Sequence, residues 1–212
     1  MSFFPQLGSI RLSDLTVRAC KRWLDKFDSP ALHFVAYTTL RQVLNHAIAN
    51  ECLTVSPLDK VTSPKRDDYE PTVLDTEDIE VYLWHYRDTS VEVAVLLAIG
   101  AGLRRGEIVA LNVSDINPYT GRVTIDNAVT QHGATIYEGT PKSLYNVREV
   151  YLPTTILSRL VKVLPKDGAV LQGHEGRMSP DRLTFHYRWI QRTMPEGVPR
   201  IPLQICATQA LR

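Results

Sequence analysis

The chain has little cysteine, almost no net charge and no long apolar run. Its three cysteines, Cys20, Cys52 and Cys206, lie far apart with no CxxC pair. An odd, dispersed set supports neither a disulfide framework nor a zinc site, so no metal is expected, and it fits a reducing compartment. No stretch approaches the about 20 apolar residues that span a bilayer. The opening Met1-Ser2-Phe3-Phe4-Pro5 is too short for the apolar region of a signal peptide. The expectation is a cytoplasmic protein with no membrane partner. Formal net charge is +1, from 24 Lys and Arg against 23 Asp and Glu. Composition therefore does not advertise nucleic acid, and any basic surface must come from local arrangement. One local excess exists. Residues 177–212 hold Arg177, Arg182, Arg188, Arg192, Arg200 and Arg212 against Asp181 and Glu196. Such arginines equally form a solvated face.

What is present is ample apolar material. The 212 residues are 44% hydrophobic, enough to pack one large or two small domains. Thr16 is placed to cap a helix carrying Val17, Cys20, Leu24 and Phe27 at helical spacing. Ser29-Pro30 opens a second, whose apolar face runs through Tyr37, Leu40, Val43, Leu44, Ala47 and Ile48. Pro57, Pro64 and Pro71 punctuate the next stretch, with five charged residues between the last two. That composition reads as a linker at 65–72, between a helical domain at 1–64 and a second at 73–212.

In the second domain Asp75 or Thr76 caps a helix with Ile79, Tyr82, Leu83 and Tyr86 on its buried stripe. An apolar helix runs from Val91 to Ile99. Arg122–Ile125, Thr135–Glu138 and Val147–Leu152 read as strands, with turns at Asn117–Gly121 and His132-Gly133. Helices are expected at Thr154–Leu164 and Ser179–Thr193. The fold class is mostly α with a small antiparallel β-sheet, an α+β chain. There is no internal repeat or low-complexity tract.

The richest segment is Ile99-Gly100-Ala101-Gly102-Leu103-Arg104-Arg105-Gly106-Glu107-Ile108-Val109-Ala110-Leu111. Gly102 can end the apolar helix in a left-handed conformation. Arg104 then stands in the turn between two packed helices, with Glu107 one helical turn beyond. A guanidinium held there is a preorganised fork for a phosphate. A plain helix corner bearing a surface ion pair has the same residues. A second segment, downstream, separates the two cases. Thr140-Pro141-Lys142-Ser143 precedes Arg148-Glu149-Val150-Tyr151-Leu152-Pro153 at the end of the strand region. Together the segments resemble the arginine box and the lysine-bearing β-hairpin of the tyrosine recombinases, the phage-integrase family. Pro5-Gln6-Leu7-Gly8-Ser9-Ile10-Arg11-Leu12-Ser13-Asp14-Leu15-Thr16 is similar to the stretch leading into the later part of that family's core-binding domain.

The resemblance implies site-specific recombination of double-stranded DNA through a 3′-phosphotyrosyl intermediate. No metal or other cofactor is implied. Arg104 would clamp the scissile phosphate, supported by Glu107, and Lys142 would protonate the leaving oxygen. Arg148 reads as a strand residue contacting the domain. Arg41, Lys65 and Arg66 are candidate DNA contacts. Partners would be the DNA site and further copies, or an intact integrase. The alternative is a non-catalytic DNA-binding remnant or regulator.

The resemblance ends at Leu203. The family places a His-x-Leu-Arg-His-Thr box and then a nucleophilic tyrosine next. Here Gln204-Ile205-Cys206-Ala207-Thr208-Gln209-Ala210-Leu211-Arg212 stands in their place, and no tyrosine occurs after Tyr187, itself expected in the core. The nine residues can be encoded as CAG ATC TGC GCC ACA CAG GCG CTT CGC. Two bases on, that string reads Asp-Leu-Arg-His-Thr-Gly-Ala-Ser. The expectation is a family member cut at both ends, its core-binding and catalytic domains both partial, with one base lost after codon 203. Sequencing the locus checks this: the shifted frame should open with Asp-Leu-Arg-His-Thr and continue to a tyrosine codon, and an open frame without them refutes the frameshift.

Overall fold

The computed structural model describes residues 7–65, 74–139, 147–174 and 176–203. Its chain divides into two compact units, 1–70 and 71–212.

In the first unit, α1 (Val17–Leu24) begins where the Thr16 hydroxyl accepts a hydrogen bond from the Ala19 N–H at 3.2 Å. This is the expected cap, and it satisfies a backbone donor the helix cannot. Helix α2 (Pro30–Ala49) starts with proline in its first turn. Cys20, Trp23 and Leu24 meet Ala36, Tyr37, Leu40 and Leu44, and Leu58 closes the cluster from a short 3-10 turn. Burial raises the Cys20 thiol pKa, outweighing the backbone hydrogen bond that lowers it. Val43 departs from expectation: it is exposed. It lies at the margin of the buried arc of α2 and opens on an apolar groove shared with Leu7, Ile10, Leu12 and Leu15.

In the second unit, α3 (Thr76–His85) is capped by Asp75, whose carboxylate accepts from the Asp78 N–H at 2.8 Å. Tyr82 and Tyr86 are fully buried, as the stripe requires. Helix α4 (Glu92–Ala101) is apolar on all sides and buried from Glu92 to Ala98. It ends at Gly102 with φ +64°, the left-handed stop expected there. Helix α5 (Arg105–Ala110) begins three residues later.

Four strands come next: β1 (Arg122–Ile125), β2 (Ala128–His132), β3 (Thr135–Gly139) and β4 (Arg148–Tyr151). Then come α6 (Thr154–Val163), the two-residue strands β5 (Gln172–Gly173) and β6 (Gly176–Arg177), and α7 (Pro180–Gln191). All described pairing is antiparallel. It forms three two-stranded ladders, β1 with β4, β2 with β3 and β5 with β6, where a single small sheet was expected. Ile125 lies opposite Arg148, and His132 opposite Thr135 across the Gly133 turn. Val123 and Ile125 alternate into the core, whereas β3 is exposed throughout. Among the described residues no helix is long and apolar enough to cross a membrane.

Two long-range anchors set the helix positions. Glu92, buried at the first turn of α4, accepts from Arg159 of α6 at 2.6 and 3.0 Å, and Arg159 also reaches Asp88 at 2.6 Å. Arg177 donates to the carbonyls of Val109 and Ala110, terminal acceptors of α5, and to that of Leu111 just beyond it, which also accepts from the Val170 N–H. One arginine of the expected solvated set is thus a helix cap.

Gly106 locates the first turn of α5 against the sheet. A Cβ there would stand 2.6 Å from the Val129 carbonyl oxygen of β2. That oxygen belongs to backbone and cannot swing aside. Gly106→Ala should therefore lower stability by about 2 kcal/mol, read as a lower urea midpoint at unchanged m-value. An unshifted midpoint would mean that β2 does not pack there.

Candidate functional site

The site is built where α4 stops and α5 starts. Arg104 is the residue before α5, in extended backbone at φ −72° and ψ 152°. Glu107, the third residue of α5, turns its carboxylate back over the helix start. Its Oε2 accepts from the Arg104 backbone N–H at 2.8 Å. This is half of a capping box, and it fixes the Arg104 backbone. Oε1 accepts from Arg104 Nη1 at 3.2 Å.

The same carboxylate meets a second arginine from far along the chain. Arg148, the first residue of β4, donates Nη1 to Oε1 and Nη2 to Oε2, both at 2.9 Å. This is the parallel fork that suits guanidinium to carboxylate. Arg148 is thus a strand residue in contact with the domain, as expected, and its contact falls on the arginine box itself. The Glu107 side chain is 10% exposed, that of Arg148 33% and that of Arg104 75%. Two cations share one anion, so the cluster carries net positive charge, and the exposed member is Arg104.

Competing effects act on the Glu107 carboxyl. Burial pushes it up, but the Arg148 hydrogen bonds, the Arg104 backbone N–H and both guanidinium charges outweigh it. They hold Glu107 below the usual carboxylate range. The Glu107 hydrogen bonds, against a smaller opposing effect of burial, raise Arg148.

Two expectations about this segment hold in the structure: Gly102 ends the helix, and Arg104 and Glu107 come together at the corner. Lys142 lies outside the described residues, as do Arg66 and the tail at 204–212. Arg41 and Lys65 are exposed in the first unit. Tyr187 is 1% exposed, stacked on Tyr86 at 4.9 Å, and donates its hydroxyl to the Ile201 carbonyl at 2.9 Å. It is a core residue, as expected. Arg182, Arg188 and Arg192 are exposed on or just beyond α7, with Arg192 over the Trp189 ring at 5.1 Å. Arg105 turns to Thr184 at 2.8 Å, tying α5 to α7. The position of Arg148 in the cluster was not legible in sequence, because 41 residues separate it from Glu107.

No family model matches the chain. Curated relatives from two strains of Mycobacterium tuberculosis, both named "Putative prophage phiRv2 integrase", are 25% identical over 174 residues. The match covers 80% of this chain and 45% of theirs, so the chain spans about half the length of these relatives. Among solved structures, the Tn1549 transposon integrase in complex with transposon right end DNA superposes with a TM-score of 0.74 at 17% identity. That match covers 97% of this chain and 74% of the other. A lambda integrase dimer bound to a COC′ core site superposes at 0.68 and 15% identity, covering 97% and 75%. The fold is that of the DNA integrases. The chain is thus similar in sequence to prophage integrases and shares its fold with the Tn1549 and lambda integrase structures.

The lowered Glu107 pKa has a consequence for stability. A carboxyl whose folded value lies below its unfolded value stabilises the fold above the unfolded value, about 4.3. That contribution is lost as pH falls through the folded value. Glu107→Gln should cost about 3 kcal/mol at pH 7, because Arg148 loses its ionic partner. The gap between wild type and variant should narrow below about pH 4. Urea titrations at pH 7 and pH 3 measure it, and a constant gap would show that the ion pair contributes nothing.

Proposed function

We propose that the chain is a DNA-binding protein of site-specific recombination, acting on duplex DNA in the cytoplasm. The observation that carries this reading is Arg104: a guanidinium with a fixed backbone and a solvent-facing head, at a corner packed on β2, in a chain with the integrase fold. Such a fork fits the two non-bridging oxygens of a phosphodiester. In the family reaction a tyrosine oxygen attacks the phosphorus and becomes the 3′-phosphotyrosyl ester. The 5′ oxygen leaves and takes up a proton. Arg104 would offset the charge that builds on the phosphorane oxygens. Lys142 would give up the proton. No metal or nucleotide enters, because the covalent ester retains the energy of the broken bond.

Exposed Arg41 and Lys65, with Arg66, are proposed as phosphate contacts of the first unit, and the 1–64 and 73–212 segments as core-binding and catalytic parts. Further copies, or an intact integrase, are the proposed protein partners. A second reading has its own observation. The last tyrosine of the 212 residues, Tyr187, is buried with its hydroxyl engaged. This polypeptide by itself would then occupy a DNA site without cleaving it.

Binding should be electrostatic. For roughly three phosphate contacts, affinity for a duplex should fall about 40-fold when salt is raised fourfold. Arg104→Gln should reduce the salt slope by about one. Fluorescence anisotropy at several salt concentrations checks both, and salt-independent binding, or none at low salt, would overturn the DNA reading. The 212-residue chain should form no covalent adduct with a nicked duplex on a denaturing gel. An adduct abolished by Tyr187→Phe would overturn the non-cleaving reading and make Tyr187 the nucleophile.

A further inference from the structure

We infer that Arg148 is a positioning residue: by filling the Glu107 carboxylate it keeps the Arg104 guanidinium free to take a phosphate. The inference rests on the phosphate-binding reading of Arg104. Its basis is a count of acceptor sites. A carboxylate offers about four lone-pair positions. At Glu107 four hydrogen bonds meet them: two from Arg148, one from the Arg104 backbone and one from Arg104 Nη1. The last, at 3.2 Å, is the longest of the four. Among the described residues Arg104 thus commits one guanidinium nitrogen to Glu107, and its head stays 75% exposed.

Without Arg148, both carboxylate oxygens would regain an empty position. The nearest cation is Arg104, three residues away and already at Oε1. A second guanidinium N–H would move onto Oε2, since a bidentate pair is stronger than a single contact. The fork that should grip a phosphate would close on its own helix. Arg148 therefore acts through Glu107, by competition, and needs no contact with the DNA. Lysine cannot replace it, because an ammonium is a point donor and cannot cover both oxygens in parallel.

The test uses the full chain and inorganic phosphate as probe, read at the Arg104 side-chain Nε–Hε resonance, which is assigned by its loss in Arg104→Lys. In Arg148→Lys the net charge is unchanged. Phosphate affinity at Arg104 should nevertheless fall about tenfold, the worth of one charge-assisted hydrogen bond. Rotation of the Arg104 guanidinium about its Nε–Cζ bond should slow. In the double variant Arg148→Met/Glu107→Gln the competing anion is gone. Rotation should return to the wild-type rate and phosphate affinity to within about threefold. Circular dichroism establishes that each variant is folded. A staple with no positioning role would lose stability in both variants and leave the Arg104 resonance unmoved. An Arg104 response in Arg148→Lys equal to wild type, or a double variant no better than Arg148→Lys, would overturn the inference. Failure of phosphate and DNA to bind the wild type would instead sink the phosphate reading. The rotation rates then decide the inference alone: slowing in Arg148→Lys with recovery in the double variant supports it, and equal rates overturn it.

Discussion

One carboxylate holds together the arginine corner and the strand that packs beside it. Glu107 fixes the Arg104 backbone, shares its remaining acceptor position with the Arg104 head and binds the fork of Arg148. A buried anion with one strong partner would be an ordinary structural ion pair. Two cations and a backbone donor make it something else. The pair Glu107–Arg148 is internally neutral, so the positive charge of Arg104 is left over at the surface. An exposed ion pair is worth little, and the Arg104–Glu107 contact alone would be a weak reason for the corner to be built. The half-buried Arg148 contact gives it strength.

The surrounding fold serves that corner. Helix α4 is apolar on every side and sits inside the second unit, so Gly102 delivers Arg104 from a rigid element. The Glu92–Arg159 pair ties the start of α4 to α6. Arg177 caps the far end of α5, and Gly106 lets β2 approach its near end. Helix α5 is only six residues long and would not persist alone. Its position is set from both ends and one side by groups distant in sequence. The proposed role of Arg104 as a phosphate fork would need this, since a loosely held arginine must lose side-chain entropy on binding.

Much of this organisation was legible in the residues. Thr16 and Asp75 each precede a helix and accept the expected backbone N–H. Caps act over three residues, so a local string contains the whole interaction. The left-handed stop at Gly102, the buried Tyr82 and Tyr86, and the nearness of Arg104 to Glu107 are of the same kind. Strand β2 was missed because Ala128–His132 has one buried residue, Val129, and no clear alternation. Val43 was misplaced because helical periodicity gives an arc and not its margin.

Sequence by itself determined the helices, their caps, the arginine corner and the family likeness, because each is encoded within a few residues or in a motif read in order. Tertiary structure alone decided that Arg148 closes on Glu107, that Arg177 is a helix cap and not a surface charge, and that Gly106 admits a strand. Those facts depend on which distant groups a chain brings within hydrogen-bond range, a distance far shorter than the separation along the chain. The physical reason is the partition of interactions by range: propensity and capping are local, whereas the choice of partner for a buried charge is made when the core closes.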